Sequence, residues 1–153
     1  RKFWAAIDRQ HLNYFIPRTC SIKTSSAKSG FLPDVAVLDE ETINENPRWK
    51  KESTITAGQT AKLIVEVTST NWRDDYERKL PDYEEMGVGE YWILDYLGLA
   101  AARHIGNPKQ PVLTICELVN GEYQLQQLRG NTEIVSPTLG NLEITAEQLF
   151  NAG

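Results

Sequence analysis

The stretch that decides the fold is "KLIVEVTS", residues 62–69. Leu63, Ile64, Val65 and Val67 are aliphatic and largely β-branched, the composition of a buried strand. Glu66 interrupts them. An ionised carboxylate without a partner in an apolar setting costs several kcal/mol, so Glu66 needs a compensating group. Alternate side chains of a strand share a face, which puts Ile64, Glu66 and Thr68 on one side and Leu63, Val65 and Val67 on the other.

Working outward, "FLPDVAVLD" (31–39) is a second short apolar strand, opened by Pro33, a residue that a sheet accepts only at a strand start or an edge. Asp34 stands at that start. If the two strands pair antiparallel, the start of the first meets the end of the second, and Asp34 comes close to Glu66. Two carboxylates in a partly buried place repel unless one is protonated or a cation lies between them. A hard divalent ion such as Mg²⁺ takes one or two carboxylates, backbone carbonyls and water. The alternative is that Glu66 faces solvent on an edge strand and Asp34 merely ends a loop.

The remaining chain supplies the other layers. "RKFWAAIDRQHLNYF" spaces Phe3, Ala6, Ile7 and Leu12 as an amphipathic helix, and "RTCSIKTSS" alternates weakly as a strand. Residues 40–59 are polar, with Pro47 and Gly58, and read as a long loop; twenty such residues in a compact domain usually carry function or move. "NWRDDYERKLPDYEEMG" is helical, with Asn71 or Asp74 as candidate N-cap and Gly87 as stop. Pro81 should either kink it or open a second helix. "GEYWILDYLG" is a strand. "VLTICELVNGEYQLQQL" is a hairpin turning at Asn120-Gly121, and Thr145 with Gln148 forms a capping box for a last short helix. Helix, strands, helix, strand, hairpin and helix make an α/β or α+β chain with a mixed sheet.

The length of 153 residues favours a single domain over 1–153, and a hydrophobic share of 41% is enough for a core. Because the chain opens at Arg1 in what reads as mid-helix, it is expected to lack a natural N-terminal segment. No apolar run reaches the ~20 residues of a membrane span, and no signal peptide is recognisable, so the expected location is cytoplasmic with no membrane partner. Cys20 and Cys116 are too few and too scattered for a disulfide framework or a zinc site and read as free thiols. His11 and His104 are equally solitary. The net charge of −5 argues against a non-specific nucleic-acid coat, yet it is uneven. Residues 1–33 carry six Lys/Arg against one acid (+5), and residues 34–95 seven against fifteen (−8). A basic arm beside an acidic centre suits an anionic partner held near a cation; scattered surface charge explains it equally well.

"PDVAVLD", then "LIVEVTS" about thirty residues on, then "RDDYERKLPDYEEMGVGEYWILDYLG" resemble the Uma-type restriction endonuclease-like family of the PD-(D/E)XK nuclease superfamily. The resemblance spans roughly residues 1–150. It implies a restriction endonuclease-like core, a mixed central sheet flanked by helices. It also implies Asp34 and Glu66 as catalytic carboxylates and ligands of Mg²⁺ or Mn²⁺, with the carbonyl of Val67 as a third ligand. The superfamily's lysine stands two residues after the glutamate, where this chain has Thr68; Uma-type members carry one on the following helix, where Lys79 matches. A lysine there would orient the attacking water or hold a phosphate; otherwise it is a solvated helical lysine paired with Asp75. Family members also bear an N-terminal acidic residue with no counterpart in this numbering.

The activity so implied is metal-dependent endonucleolytic hydrolysis of DNA, with DNA as partner and a homodimer plausible for duplex cleavage. Two other readings stand beside it. One is a catalytically drifted module binding nucleic acid or protein. The other is a dimerisation unit, which would expose an apolar patch on the 111–129 hairpin. Among lesser candidates, Asp74 and Asp75 read first as helix caps and otherwise as acids that support the site from behind its ligands, and Asp95 as a turn former. Trp72, Tyr83, Tyr91 and Trp92 read as core before base-stacking groups. Arg18, Lys23 and Lys28 are candidate phosphate contacts.

Overall fold

Residues 1–24 and 30–152 are described by the computed structural model; Lys28 lies outside them. The helices are α1 (Lys2–Arg9), α2 (Trp49–Glu52), α3 (Leu80–Met86), α4 (Ala102–Ile105) and α5 (Ala146–Phe150). The strands are β1 (Tyr14–Phe15), β2 (Ser21–Ile22), β3 (Val35–Asp39), β4 (Thr54–Ile55), β5 (Ala61–Val67), β6 (Glu90–Asp95), β7 (Val112–Val119), β8 (Glu122–Leu128), β9 (Glu133–Ser136) and β10 (Gly140–Thr145).

The period-two pattern of β5 sorts its side chains onto two separate cores. Leu63 and Val65 pack with Val37, Trp92, Leu113 and Ile115 under α1, the β9–β10 hairpin and α5. Ile64 packs with Leu38, Tyr91, Ile93 and Tyr83 on the opposite face. That second face is the one to which Glu66 and Thr68 belong by alternation. β5 is therefore central, buried on both sides, in a six-stranded sheet of order β1-β3-β5-β6-β7-β8. Pairing is antiparallel except between β5 and β6, which run parallel. The sheet is mixed and carries helices on its faces, a restriction endonuclease-like arrangement.

A parallel pair needs a crossover, and the segment after β5 provides it. The helix contains a π-helical stretch at Asp74–Lys79 and continues without a break as α3, with Pro81 near the start of α3. Proline has no N–H for the preceding turn; the wider π-helical turn just before it accommodates the loss within one continuous helix. Asn71 stands directly before the first helical residue, Trp72, and its carbonyl accepts the Asp74 N–H at 3.0 Å, but among the described residues neither Asn71 nor Asp74 makes a side-chain cap. Gly87 ends it as expected, in the left-handed region with φ 92°.

The 40–59 segment is more ordered than its polarity indicates. It holds a 3₁₀ turn (Ile43–Glu45), α2 and β4, and the buried Asn46 organises it. Asn46 Oδ1 accepts from the N–H groups of Thr56 (2.9 Å) and Ala57 (2.8 Å), while its Nδ2 donates to Thr60 Oγ1 at 2.9 Å. In "RTCSIKTSS" only Ser21–Ile22 forms a strand, paired parallel with β4; Ser25 and Ser26 lie outside the described residues. The expected 112–128 hairpin is present. Asn120 and Gly121 both have positive φ (53° and 81°), the turn that suits twisted strands. Thr145 and Gln148 make the capping box. The β9–β10 hairpin is an addition that the sequence did not announce. Among the described residues no helix is long and apolar enough to cross a membrane.

Candidate active site

The register of β3 on β5 pairs Val35 with Val65, antiparallel. One step further along each strand, Asp34 therefore faces the end of β5. Its Oδ2 accepts the Val67 N–H at 2.7 Å. Thr68 N–H donates the other way, to Leu94 O of β6 at 2.9 Å. In an extended strand the N–H and C=O of one residue point to the same side, so the Val67 carbonyl opens toward the Asp34 side.

Glu66 is not at an edge: it is 3% exposed. The crossover helix supplies its partners. Lys79 Nζ lies 3.2 Å from Glu66 Oε2, and Tyr83 Oη donates to the same oxygen at 3.1 Å. Lys79 also reaches Asp75 Oδ1 at 3.4 Å, and the other Asp75 oxygen accepts from Thr68 Oγ1 at 3.1 Å. Tyr91 Oη donates to the Asp75 carbonyl at 3.0 Å. Asp75, Lys79 and Tyr83 recur every four residues on one helical face, and that face lies over Glu66 and Thr68.

Burial governs the electrostatics. It raises the Glu66 carboxyl to about 7; Lys79 pulls it down, and Asp75 and Asp34 push it up again. Burial likewise raises Asp75, against the lowering effects of Lys79 and Thr68. Tyr83 is raised by burial and by Glu66, so it remains a donor. One ammonium thus serves two buried carboxylates and does not fully offset the desolvation of either.

The structure brings Asp34, Glu66, Val67 and Lys79 to one end of β5. Two readings need correction. Lys79 does pair with Asp75, but its side chain is only 18% exposed and also contacts Glu66, so it is no solvated surface lysine. Asp75 does not cap the helix, which has Arg73 at the N-cap of its π-helical stretch and no side-chain cap; it anchors Lys79 instead. Asp74 makes a surface contact with Arg78 at 3.9 Å. Asp95 is a turn former, its oxygens accepting from the Leu99 and Ala100 N–H groups.

Tyr83, Tyr91 and Trp92 are core residues. Trp72 is half-buried, with the Arg73 guanidinium 4.2 Å from its ring centre. Cys20 and Cys116 are buried free thiols, both pushed up to about 12 by burial. Lys23 lies near Glu52, whose carboxyl is lowered first by Arg48. Arg18 is exposed and shares a cavity wall with Asp34. Leu125 is the one exposed large apolar side chain of the 112–128 hairpin among the described residues, so that hairpin bears no apolar patch.

Sequence reasoning named Asp75 as a partner of Lys79 but missed Tyr83 as the donor to Glu66 and Thr68 as the donor to Asp75. The four-residue spacing of 75, 79 and 83 directly after the carboxylate-bearing strand was the available signal.

The donor set fits a hard divalent cation: two carboxylates and a backbone carbonyl are all oxygen ligands. Among the described residues no three of His, Cys, Asp and Glu converge as a metal cluster; with two carboxylates and one carbonyl, water would have to complete the coordination of such an ion.

Comparison with known proteins adds an independent observation. The family described as "Uma2: Putative restriction endonuclease" matches residues 1–147. No curated protein matches the chain. The match covers nearly the whole chain, and the protein belongs to this family. The family description supports a nuclease-like role.

Proposed function

We propose that this member of the restriction endonuclease-like family is a divalent-metal-dependent endonuclease that hydrolyses DNA phosphodiester bonds. The observation that carries the reading is Glu66: a buried carboxylate at a strand end, facing Asp34 and only partly compensated by its own protein partners. Restriction endonuclease-like families generally use divalent metals. Asp34, Glu66 and the Val67 carbonyl would hold Mg²⁺ or Mn²⁺. When bound, such an ion polarises the scissile phosphate and acidifies a water.

The chain's own residues do the rest. Tyr83 fixes the Glu66 carboxylate by donating to Oε2, and the Val67 N–H fixes Asp34 by donating to Oδ2. Lys79 is the catalytic cation: its ammonium is a point charge for a non-bridging phosphate oxygen and a donor that orients the attacking water. Asp75, held by Thr68, keeps that ammonium directed toward Glu66. Thr68 therefore does not leave the site without a lysine. The helix delivers the ammonium to the carboxylate that the strand position would otherwise serve.

The test is cleavage of supercoiled plasmid and of single-stranded circular DNA with Mg²⁺ or Mn²⁺. Wild type should nick or linearise, and EDTA, Asp34→Ala and Glu66→Ala should each abolish the activity. Cleavage that survives both substitutions, or no cleavage by wild type under any divalent ion, overturns the proposal. In the second case a binding module that has lost turnover takes its place.

A further inference from the structure

We infer that the cavity beside Asp34 is a nucleotide subsite, which receives one unpaired nucleotide next to the scissile phosphate and holds its phosphate on Arg18. The inference rests on the nuclease reading above and extends it to the substrate. The cavity has a volume of about 220 Å³ and shares Asp34 with the candidate site. Pockets that enclose a whole small molecule run to ~300–1,000 Å³, so this one takes a single part of a longer ligand.

Its lining divides by chemistry. Pro17, Leu32 and Pro33 supply apolar surface, and Arg18 is the one cation in the wall among the described residues. Leu32 is 77% exposed beside the buried Phe31, an apolar group that the core does not use. Flipped bases are held between aromatic or apolar side chains while cations track the backbone.

Of the cations in the basic segment 1–33, Arg18 lines this cavity. One wall, residues 16–20 with Leu32 and Pro33, belongs to the segment of net charge +5; Asp34 opens the segment of net charge −8, which carries Glu66. An acidic protein that must hold a polyanion needs a cation where the chain meets the cut site. Arg18 is in that place, and its planar fork suits a phosphate better than an ammonium does.

The experiment is fluorescence anisotropy of a labelled single-stranded oligonucleotide with Ca²⁺ present, titrated at several salt concentrations. Arg18→Ala should weaken binding about tenfold and reduce the salt slope by about one. Arg18→Lys should recover part of the loss. Leu32→Ser should weaken binding severalfold and leave the salt slope unchanged. Lys109→Ala, which removes an exposed cation elsewhere, should bind as wild type does.

Equal binding by Arg18→Ala and Lys109→Ala overturns the subsite, as does the absence of binding by wild type. Plasmid cleavage run alongside separates the two proposals. Cleavage without an Arg18 effect removes the subsite and leaves the nuclease; Arg18-dependent binding without cleavage removes the nuclease and with it the subsite's place beside a scissile phosphate, leaving Arg18 as a nucleic-acid contact.

Discussion

Replacing Glu66 by glutamine should make the metal-free protein more stable at alkaline pH. The Glu66 carboxyl is raised from 4.5 to about 7, chiefly by burial. The native state therefore holds this proton more tightly than the unfolded chain does. The stability from that proton is fully present below the unfolded value, falls as pH rises from about 4.5, and is gone above about 7. With 1.36 kcal/mol per pH unit, the shift corresponds to roughly 3 kcal/mol in all, of which about 2.5 kcal/mol is lost between about pH 5 and about pH 8.5.

Glutamine keeps an acceptor for Tyr83 and Lys79 but cannot ionise. Urea unfolding followed by tryptophan fluorescence at those two pH values, in EDTA, reads the effect. The stability of Glu66→Gln relative to wild type should rise by about 2.5 kcal/mol from the lower pH to the higher, a relative shift of about 1 M in urea midpoint. Asp75 and Glu90 are also raised, but they titrate in both proteins and largely cancel in the difference. A pH-independent difference, or one that favours wild type as pH rises, refutes the reasoning.

Two further predictions concern the frame of the site. Glu90 is fully buried and ties β6 to the β9–β10 hairpin, accepting from Trp92 Nε1 (2.6 Å), Ser136 Oγ (2.8 Å) and Thr138 N–H (2.8 Å). Glu90→Ala leaves those donors without their acceptor and should cost about 3 kcal/mol or more in chemical denaturation; a loss under about 1 kcal/mol would contradict the role given to Glu90. A Cβ at Gly58 would stand 2.1 Å from Met86 O, whereas one at Gly121 would meet nothing within 4 Å and carry only the strain of φ 81°. Gly58→Ala should therefore destabilise the fold in chemical denaturation well beyond the ~1 kcal/mol expected for Gly121→Ala, and equal losses would refute the close approach.

The central sheet was legible in the sequence because its signals are local. Alternation in 61–67 set the two faces of β5, and antiparallel pairing of two neighbouring strands brought Asp34 to Glu66. Asn120-Gly121 and Thr145 with Gln148 carry their geometry within four residues. What escaped depends on which way a side chain turns and on where the backbone leaves its regular period. An aspartate early in a helix has the same sequence signature whether it caps the helix or, like Asp75, turns inward to hold a lysine. Asn46 reads as a loop residue until Thr56, Ala57 and Thr60 close around it. The β9–β10 hairpin has a register irregularity between Asn141 and Thr145, with Glu143 at φ 58°, which breaks the strand period.

The most direct test of the account is calorimetric titration of Mn²⁺ into the protein at about pH 6, in buffers of different ionisation enthalpy. A single Mn²⁺ should bind with release of a proton, because Glu66 is largely protonated below about 7 and must ionise to become a ligand. Asp34→Asn and Glu66→Gln should each abolish the binding. Absence of Mn²⁺ binding by wild type, or unchanged binding by Glu66→Gln, would contradict the claim that this buried carboxylate is kept for a cation.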